Sequence, residues 1–223
     1  MKWVLVSQAI GEDYVAEMRN MVETFHQHNS GVSAITRALR DDGQPWQLRS
    51  NEKVQWLIDV FGITDCDLLW VDADARFRKK TDLPQGDFVV GAQESGRHKR
   101  RKPTPVVGNR IATGTMLIRR GPQAAALLRQ WLTATEETGS NEAGLAKVLR
   151  ESPASFFYDL PRTFTSVCNA RGHGWDGKLQ YDSAIIHWNR SRSVIGIEKS
   201  RGGELVKEKN WPPPENVRMV AKP

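Results

Sequence analysis

Apolar and polar positions along the chain follow two periods, and the switches between them divide it into strands and helices. Trp3-Val4-Leu5-Val6-Ser7 is a short apolar run that turns polar at Gln8, the pattern of a buried strand. Over residues 12–28, Val15, Met18, Val22 and Phe25 recur at three- and four-residue steps, which puts them on one helical face. A second helix is predicted from a cap at Ser50, with Val54, Leu57, Ile58 and Phe61 inward and Gly62 as its stop. It leads into Asp67-Leu68-Leu69-Trp70-Val71, a continuous apolar run that fits a central strand covered on both faces. Residues 87–92 predict the next strand. Residues 95–110, rich in glycine, proline and basic side chains, predict a loop, and 115–118 a further strand. Gly121-Pro122 introduces a helix that turns Leu127, Leu128, Trp131 and Leu132 inward, since proline suits a first helical position. Asn141 is the expected cap of a helix through Leu149, and 156–160 and 184–188 are the last strands predicted. Strands alternating with helices predict an α/β fold, a central sheet flanked by helices.

The 223 residues suit one domain, with 39% hydrophobic and 26% charged side chains excluding a disordered chain. Residues 198–223, with Gly202-Gly203 and Pro212-Pro213-Pro214, carry no periodicity and are set apart as a C-terminal tail. No apolar run approaches the roughly 20 residues that span a bilayer, and the N-terminal run falls short of the core of about 7–15 residues in a secretory leader. A cytoplasmic location is therefore expected. Cys66 and Cys168 are the only cysteines, which excludes a disulfide framework and a cysteine-rich zinc site. The net charge of +6 favours polyanionic partners: nucleotide diphosphates, nucleic acid or anionic lipid headgroups, among which charge does not choose.

The densest chemistry is Asp72-Ala73-Asp74, directly after the most apolar strand. A buried strand running into two aspartates leaves them at the carboxyl edge of the sheet, where open α/β folds bind ligands. On extended backbone, residues two apart point the same way, so both carboxylates would face one cation. Hard oxygen ligands suit Mg²⁺ or Mn²⁺, which in turn clamp phosphate oxygens. The plain alternative is a pair of solvated turn aspartates. Lys99-Arg100-Arg101-Lys102 is either a solvated loop or, with the rest of 97–102, a contact for a phosphate-bearing acceptor such as nucleic acid. Trp175, in the glycine-rich segment 171–177, either stacks on a sugar or base or anchors its loop. Glu142 stands where acidic residues favour a first helical turn, and Asp159 reads as a strand-end residue.

Residues 69–77 (LWVDADARF) resemble the DxD region of GT-A glycosyltransferases, in particular the family 8-like group with its "vlylDaDvvv" pattern. Further segments resemble that group in the same order. Ser50-Asn51-Glu52-Lys53 opens the preceding helix, and residues 112–118 (ATGTMLI) resemble "FNSGvmli". Ser140-Asn141-Glu142 resembles a "DQ.al" helix start, residues 160–164 resemble "LP..fN", and Ile185-Ile186-His187-Trp188 resembles "iiHf". The resemblance covers roughly residues 50–190. It implies a single GT-A-like, Rossmann-related domain over 1–197 with a mixed sheet, acting as a metal-dependent glycosyltransferase on a nucleotide-sugar donor, with UDP-sugars favoured. It implies Mn²⁺ (or Mg²⁺) on Asp72, Asp74 and His187, the imidazole tilting the set towards Mn²⁺. Donor contacts are implied at Ser7, Gln8, Lys53, Asp72, Thr113, Gly114 and Arg190, and catalytic roles at Asp74 and Glu142. The family's HxxGxxKPW is not reproduced after His187, so Arg190 or Arg192 would stand in for its lysine. Family 8-like enzymes retain anomeric configuration without an obvious protein nucleophile, which would make Glu142 a positioning or polarising group. An inverting relative would need a carboxylate base, and the sequence does not decide between them.

Two other readings share these features. A metal-dependent nucleotidyl- or phosphotransferase would use the same acidic pair, although the chain has no GxxxxGK[ST] loop. A basic nucleic-acid-binding protein would use the 97–102 segment, and a glycosyltransferase acting on modified DNA would combine both.

Overall fold

A computed structural model of the chain describes residues 2–94, 111–167 and 183–187. The basic segment 97–102, Cys168, Trp175, Arg190 and the tail from 198 lie outside the described residues. The strands are β1 (Trp3–Ile10), β2 (Ala34–Leu39), β3 (Asp67–Val71), β4 (Ala75–Phe77), β5 (Val90–Glu94), β6 (Ile111–Ile118), β7 (Phe157–Asp159), β8 (Thr165–Val167) and β9 (Ile185–His187). The helices are α1 (Glu12–His28), α2 (Trp46–Ile63), α3 (Pro122–Thr138) and α4 (Asn141–Glu151).

Six strands form the main sheet in the order β2-β1-β3-β6-β5-β7, and β4-β9-β8 form a smaller one. The sheet is mixed: β1 runs parallel to β2 and β3, while β6 is antiparallel to both β3 and β5. This is the mixed α/β architecture expected from the sequence. Strand periodicity deals successive side chains to opposite faces. Val4, Val6, Leu68 and Trp70 join the core beneath α2, α3 and α4, whereas Leu5, Ala9, Leu69 and Val71 join a second core with Met18, Met21 and Phe25 of α1. Covering on both faces explains why β3 reads as an unbroken apolar run.

Several elements differ from the sequence prediction. Helix α2 starts at Trp46 behind Pro45, ahead of the cap expected at Ser50, and it runs one residue past Gly62. The cap of α4 is Ser140, whose hydroxyl accepts from the Ala143 amide, and Asn141 is the first helical residue. Strand β5 begins at Val90 rather than at Asp87 and continues through Glu94, and β6 begins at Ile111. Strands β2, β4 and β8 carry no pattern that announces them. The first is a half-exposed edge strand, and the other two are three residues long.

Helices α3 and α4 pack through Gly144. A Cβ there would lie 2.8 Å from both the Thr135 amide nitrogen and its hydroxyl, and 3.0 Å from the Ala134 carbonyl carbon. Gly144→Ala gains about 1 kcal/mol of helix propensity, but backbone atoms cannot step aside as a side chain would. A net loss of about 1–2 kcal/mol is expected from the forced separation, read as a lower urea midpoint. An unchanged or higher midpoint would show that the two helices yield freely.

Candidate functional site

The carboxyl ends of β1 and β3 open onto a cleft of about 220 Å³, bounded by α2, the start of β6 and the first turn of α4. Its lining includes Gln8, Lys53, Asp72, Asp74, Gly114 and Glu142, each singled out from the sequence, together with Thr113. The sheet topology therefore gathers residues more than a hundred positions apart at one edge, as open α/β folds do.

The acidic pair is not on extended backbone. Strand β3 ends at Val71, the Asp72 amide still donates to the Gly114 carbonyl (2.8 Å), and the Ala75 amide donates back to the Asp72 carbonyl (3.2 Å). Asp72-Ala73-Asp74 thus forms a tight turn between β3 and β4. This turn and the β4–β9 pairing, not strand alternation, set where the two carboxylates stand. Strand β9 pairs antiparallel with β4 and places His187 opposite Ala75.

Asp72, Lys53 and Thr113 each have defined partners. Asp72 Oδ1 accepts from the Trp70 indole (2.8 Å) and from the Lys53 ammonium (3.1 Å). Lys53, only 7% exposed, also reaches the Thr113 carbonyl and hydroxyl, each at 3.4 Å. The Thr113 hydroxyl donates to Asn141 Oδ1 (2.6 Å), and Asn51 Oδ1 accepts from the Asn141 amide (2.9 Å), which ties α4 to α2. Charge-assisted bonds of this kind fix one oxygen of Asp72 and leave Oδ2 to face elsewhere.

It faces Gly114. A Cβ at that glycine would lie 3.4 Å from Asp72 Oδ2, 3.4 Å from His187 Cε1 and 3.6 Å from His187 Nδ1. The bare Cα of Gly114 therefore leaves a hollow between a carboxylate and an imidazole. His187 is buried, with Nε2 against the Thr115 hydroxyl (2.6 Å) and Nδ1 against Asp74 Oδ1 (3.3 Å). Thr115 in turn meets the Thr165 hydroxyl (3.0 Å). Holding one ring nitrogen by a hydroxyl orients the other, as second partners do for metal-binding histidines. Two carboxylates and one imidazole make a donor set compatible with Mn²⁺ or Mg²⁺. Among the described residues no three His, Cys, Asp or Glu side chains are drawn together tightly enough to hold a metal as they stand.

Ser7 departs from its expected role. It is fully buried, and its hydroxyl donates to the Val71 carbonyl (2.7 Å), stitching β1 to β3 behind the cleft wall. Tyr14, Asn51 and Asn141 line the cleft without having been singled out as site residues. Tyr14 lies on the same helical face as Met18, Met21 and Phe25 and reads in sequence as part of the apolar stripe, and the two asparagines read as ordinary helix-start residues. Trp70 was legible in principle, because it lies two residues before Asp72 on the same side of the strand.

No protein-family model matches the chain, and no curated protein matches its sequence. Solved structures do share its fold. A glycosyltransferase involved in the glycosylation of the major capsid of PBCV-1 superposes with a TM-score of 0.55 at 13% identity, covering 84% of this chain and 92% of that one. The glycosyltransferase GlyE of Streptococcus pneumoniae TIGR4 gives 0.56 at 14% identity, covering 84% of this chain and 55% of the longer GlyE chain. The chain has the mixed α/β fold of these glycosyltransferases. Among the described residues, no helix is long and apolar enough to cross a membrane.

Proposed function

We propose that this chain is a glycosyltransferase that moves a sugar from a nucleotide-diphosphate donor to an acceptor, with a divalent metal held by Asp72, Asp74 and His187. The observation that carries the reading is the hollow at Gly114, where Asp72 Oδ2 and the His187 ring face one point beside Asp74. The fold shared with solved glycosyltransferases is compatible with it, while the reading itself rests on the site's residues, since function belongs to a site more than to its scaffold. A metal there would stabilise the charge that develops on the leaving nucleoside diphosphate. Lys53 holds Asp72 in place and adds a buried positive charge to the cleft. Glu142, on the first turn of α4, faces the cleft and would position or polarise a hydroxyl of donor or acceptor. Trp70 keeps Asp72 oriented before any ligand arrives.

The direct test is a thermal-shift and transfer assay with a panel of UDP- and GDP-sugars, with and without Mn²⁺. Metal-dependent stabilisation by at least one donor is expected, because a ligand that binds only the folded state raises its melting temperature. No response to any nucleotide-sugar would end the proposal. A sharper version uses Gly114→Ala. Its methyl would stand within ordinary contact distance of Asp72 Oδ2 and the imidazole, so the fold should persist while Mn²⁺-dependent donor binding weakens by about tenfold or more. Unaltered metal dependence in that variant would move the metal elsewhere.

A further inference from the structure

The β1 end of the cleft holds a polar device that the metal chemistry does not use. Parallel pairing of β1 with β2 sets Gln8 directly opposite Arg37. The Arg37 guanidinium lies over the Trp56 ring, 4.7 Å from its centroid, and the Trp56 indole donates to the Ser7 carbonyl (3.3 Å). Arg37 Nη2 donates to Gln8 Oε1 and, at 3.4 Å, to the Glu52 carbonyl of α2. The guanidinium is thus held by β1, β2 and α2 together. Burial lowers its pKa while Glu52 and Asp59 pull it back up, and it remains a cation at neutral pH.

Arginine carries only donors, so the amide of Gln8 has one permitted orientation: oxygen towards Arg37, nitrogen away. The usual ambiguity between the two ends of a glutamine amide does not arise here. Gln8 lines the cleft, and its amide nitrogen has no protein partner among the described residues. Two N–H donors are therefore left for whatever enters.

We propose that Arg37 is a positioning residue that fixes Gln8 as a hydrogen-bond donor, so that this end of the cleft selects a ligand group bearing a carbonyl oxygen and rejects one bearing an amino group. The inference rests on the nucleotide-donor reading above and adds to it a residue pair that sets specificity. Facing an amino group, the Gln8 nitrogen would oppose donor to donor, and the loss of one hydrogen bond in a desolvated cleft corresponds to about tenfold in affinity.

The test uses the full chain with Mn²⁺ and two probes, UDP and CDP, whose bases differ by a carbonyl against an amino group at ring position 4 and by a donor against an acceptor at the adjoining ring nitrogen. Calorimetric titration should give UDP about tenfold tighter binding than CDP. Q8E replaces the donor with a carboxylate that still pairs with Arg37, and should abolish or reverse the preference. R37M keeps an unbranched apolar side chain on Trp56 but removes the donors that hold the amide, so the UDP/CDP ratio should fall towards one, with partial recovery in R37K. Melting temperatures measured alongside separate these effects from unfolding, which would lower both affinities together and leave the ratio alone. Equal affinity for UDP and CDP in the unsubstituted protein overturns the inference without any variant, as does a preference that Q8E and R37M leave intact. Absence of Mn²⁺-dependent binding to either probe overturns it together with the nucleotide-donor reading, a result distinct from binding without base preference.

Discussion

Asp74→Ala is expected to slow sugar transfer by about a thousandfold or more while leaving the fold in place. On the proposed function, several kcal/mol of charge stabilisation on the leaving diphosphate are at stake, and each tenfold in rate corresponds to about 1.4 kcal/mol. Asp74 is joined to His187 at 3.3 Å, and the loss of that one bond costs about 1 kcal/mol of stability. Asp72→Ala should behave differently. It would strip the buried Lys53 ammonium of its carboxylate and the Trp70 indole of its acceptor. The Asp72 side chain is 38% exposed, so solvent screens part of that loss. A penalty of about 1–3 kcal/mol is expected beside the loss of activity. Rates measured with excess Mn²⁺ and again under chelation, alongside melting curves, separate the two variants. Undiminished transfer by Asp74→Ala would remove the metal centre from the mechanism.

That contrast also marks what could be read from the chain and what could not. The carboxyl-edge location of the acidic pair was legible because a continuous apolar run has few homes other than a strand covered on both faces, and β3 is such a strand. The placement of the two carboxylates relative to one another was not legible. Residues 72–74 turn rather than extend, and a turn of this kind is closed by one bond between Ala75 and Asp72 that leaves no periodic trace. His187 reaches the pair through the β4–β9 pairing, and β4 is too short to show as a strand in sequence. The misassignment of Ser7 has a similar cause. Its neighbour Gln8 faces the cleft, and alternation along β1 sends Ser7 the other way, into the core. Arg37 was invisible for a different reason: β2 is a half-exposed edge strand, so its apolar pattern is too weak to announce the register that sets Arg37 beside Gln8.

Arg76→Met is expected to destabilise the fold by about 3–5 kcal/mol, the largest single effect on stability among these substitutions. Arg76 follows the acidic turn on β4 and is 7% exposed. Its guanidinium pairs with the Glu17 carboxylate of α1 and also reaches the Glu17 carbonyl (3.3 Å) and the Ala75 carbonyl (2.7 Å). Both side chains are largely shielded, at 8% and 13% exposure, so removing the cation costs the Glu17 carboxylate its charge-assisted bond in a poorly solvated place. The Phe77 amide, bonded to the Thr24 hydroxyl at 3.1 Å, is the neighbouring tie between β4 and α1. Because β4 also pairs with β9, the anchor that holds β4 to α1 holds Asp74 against His187 as well. Arg76→Met should therefore raise the Mn²⁺ concentration needed for half-maximal activity in whatever fraction stays folded. Joining it to Glu17→Leu removes the carboxylate as well, and most of the lost urea midpoint should return, since replacing both members of a buried pair by apolar groups is often near neutral. Metal affinity should recover less, because two apolar side chains do not restore the bonds to the Glu17 and Ala75 carbonyls. A single variant as stable as the parent protein, or a double variant no better than the single, would show that the pair is a surface contact rather than the clasp that sets the acidic turn.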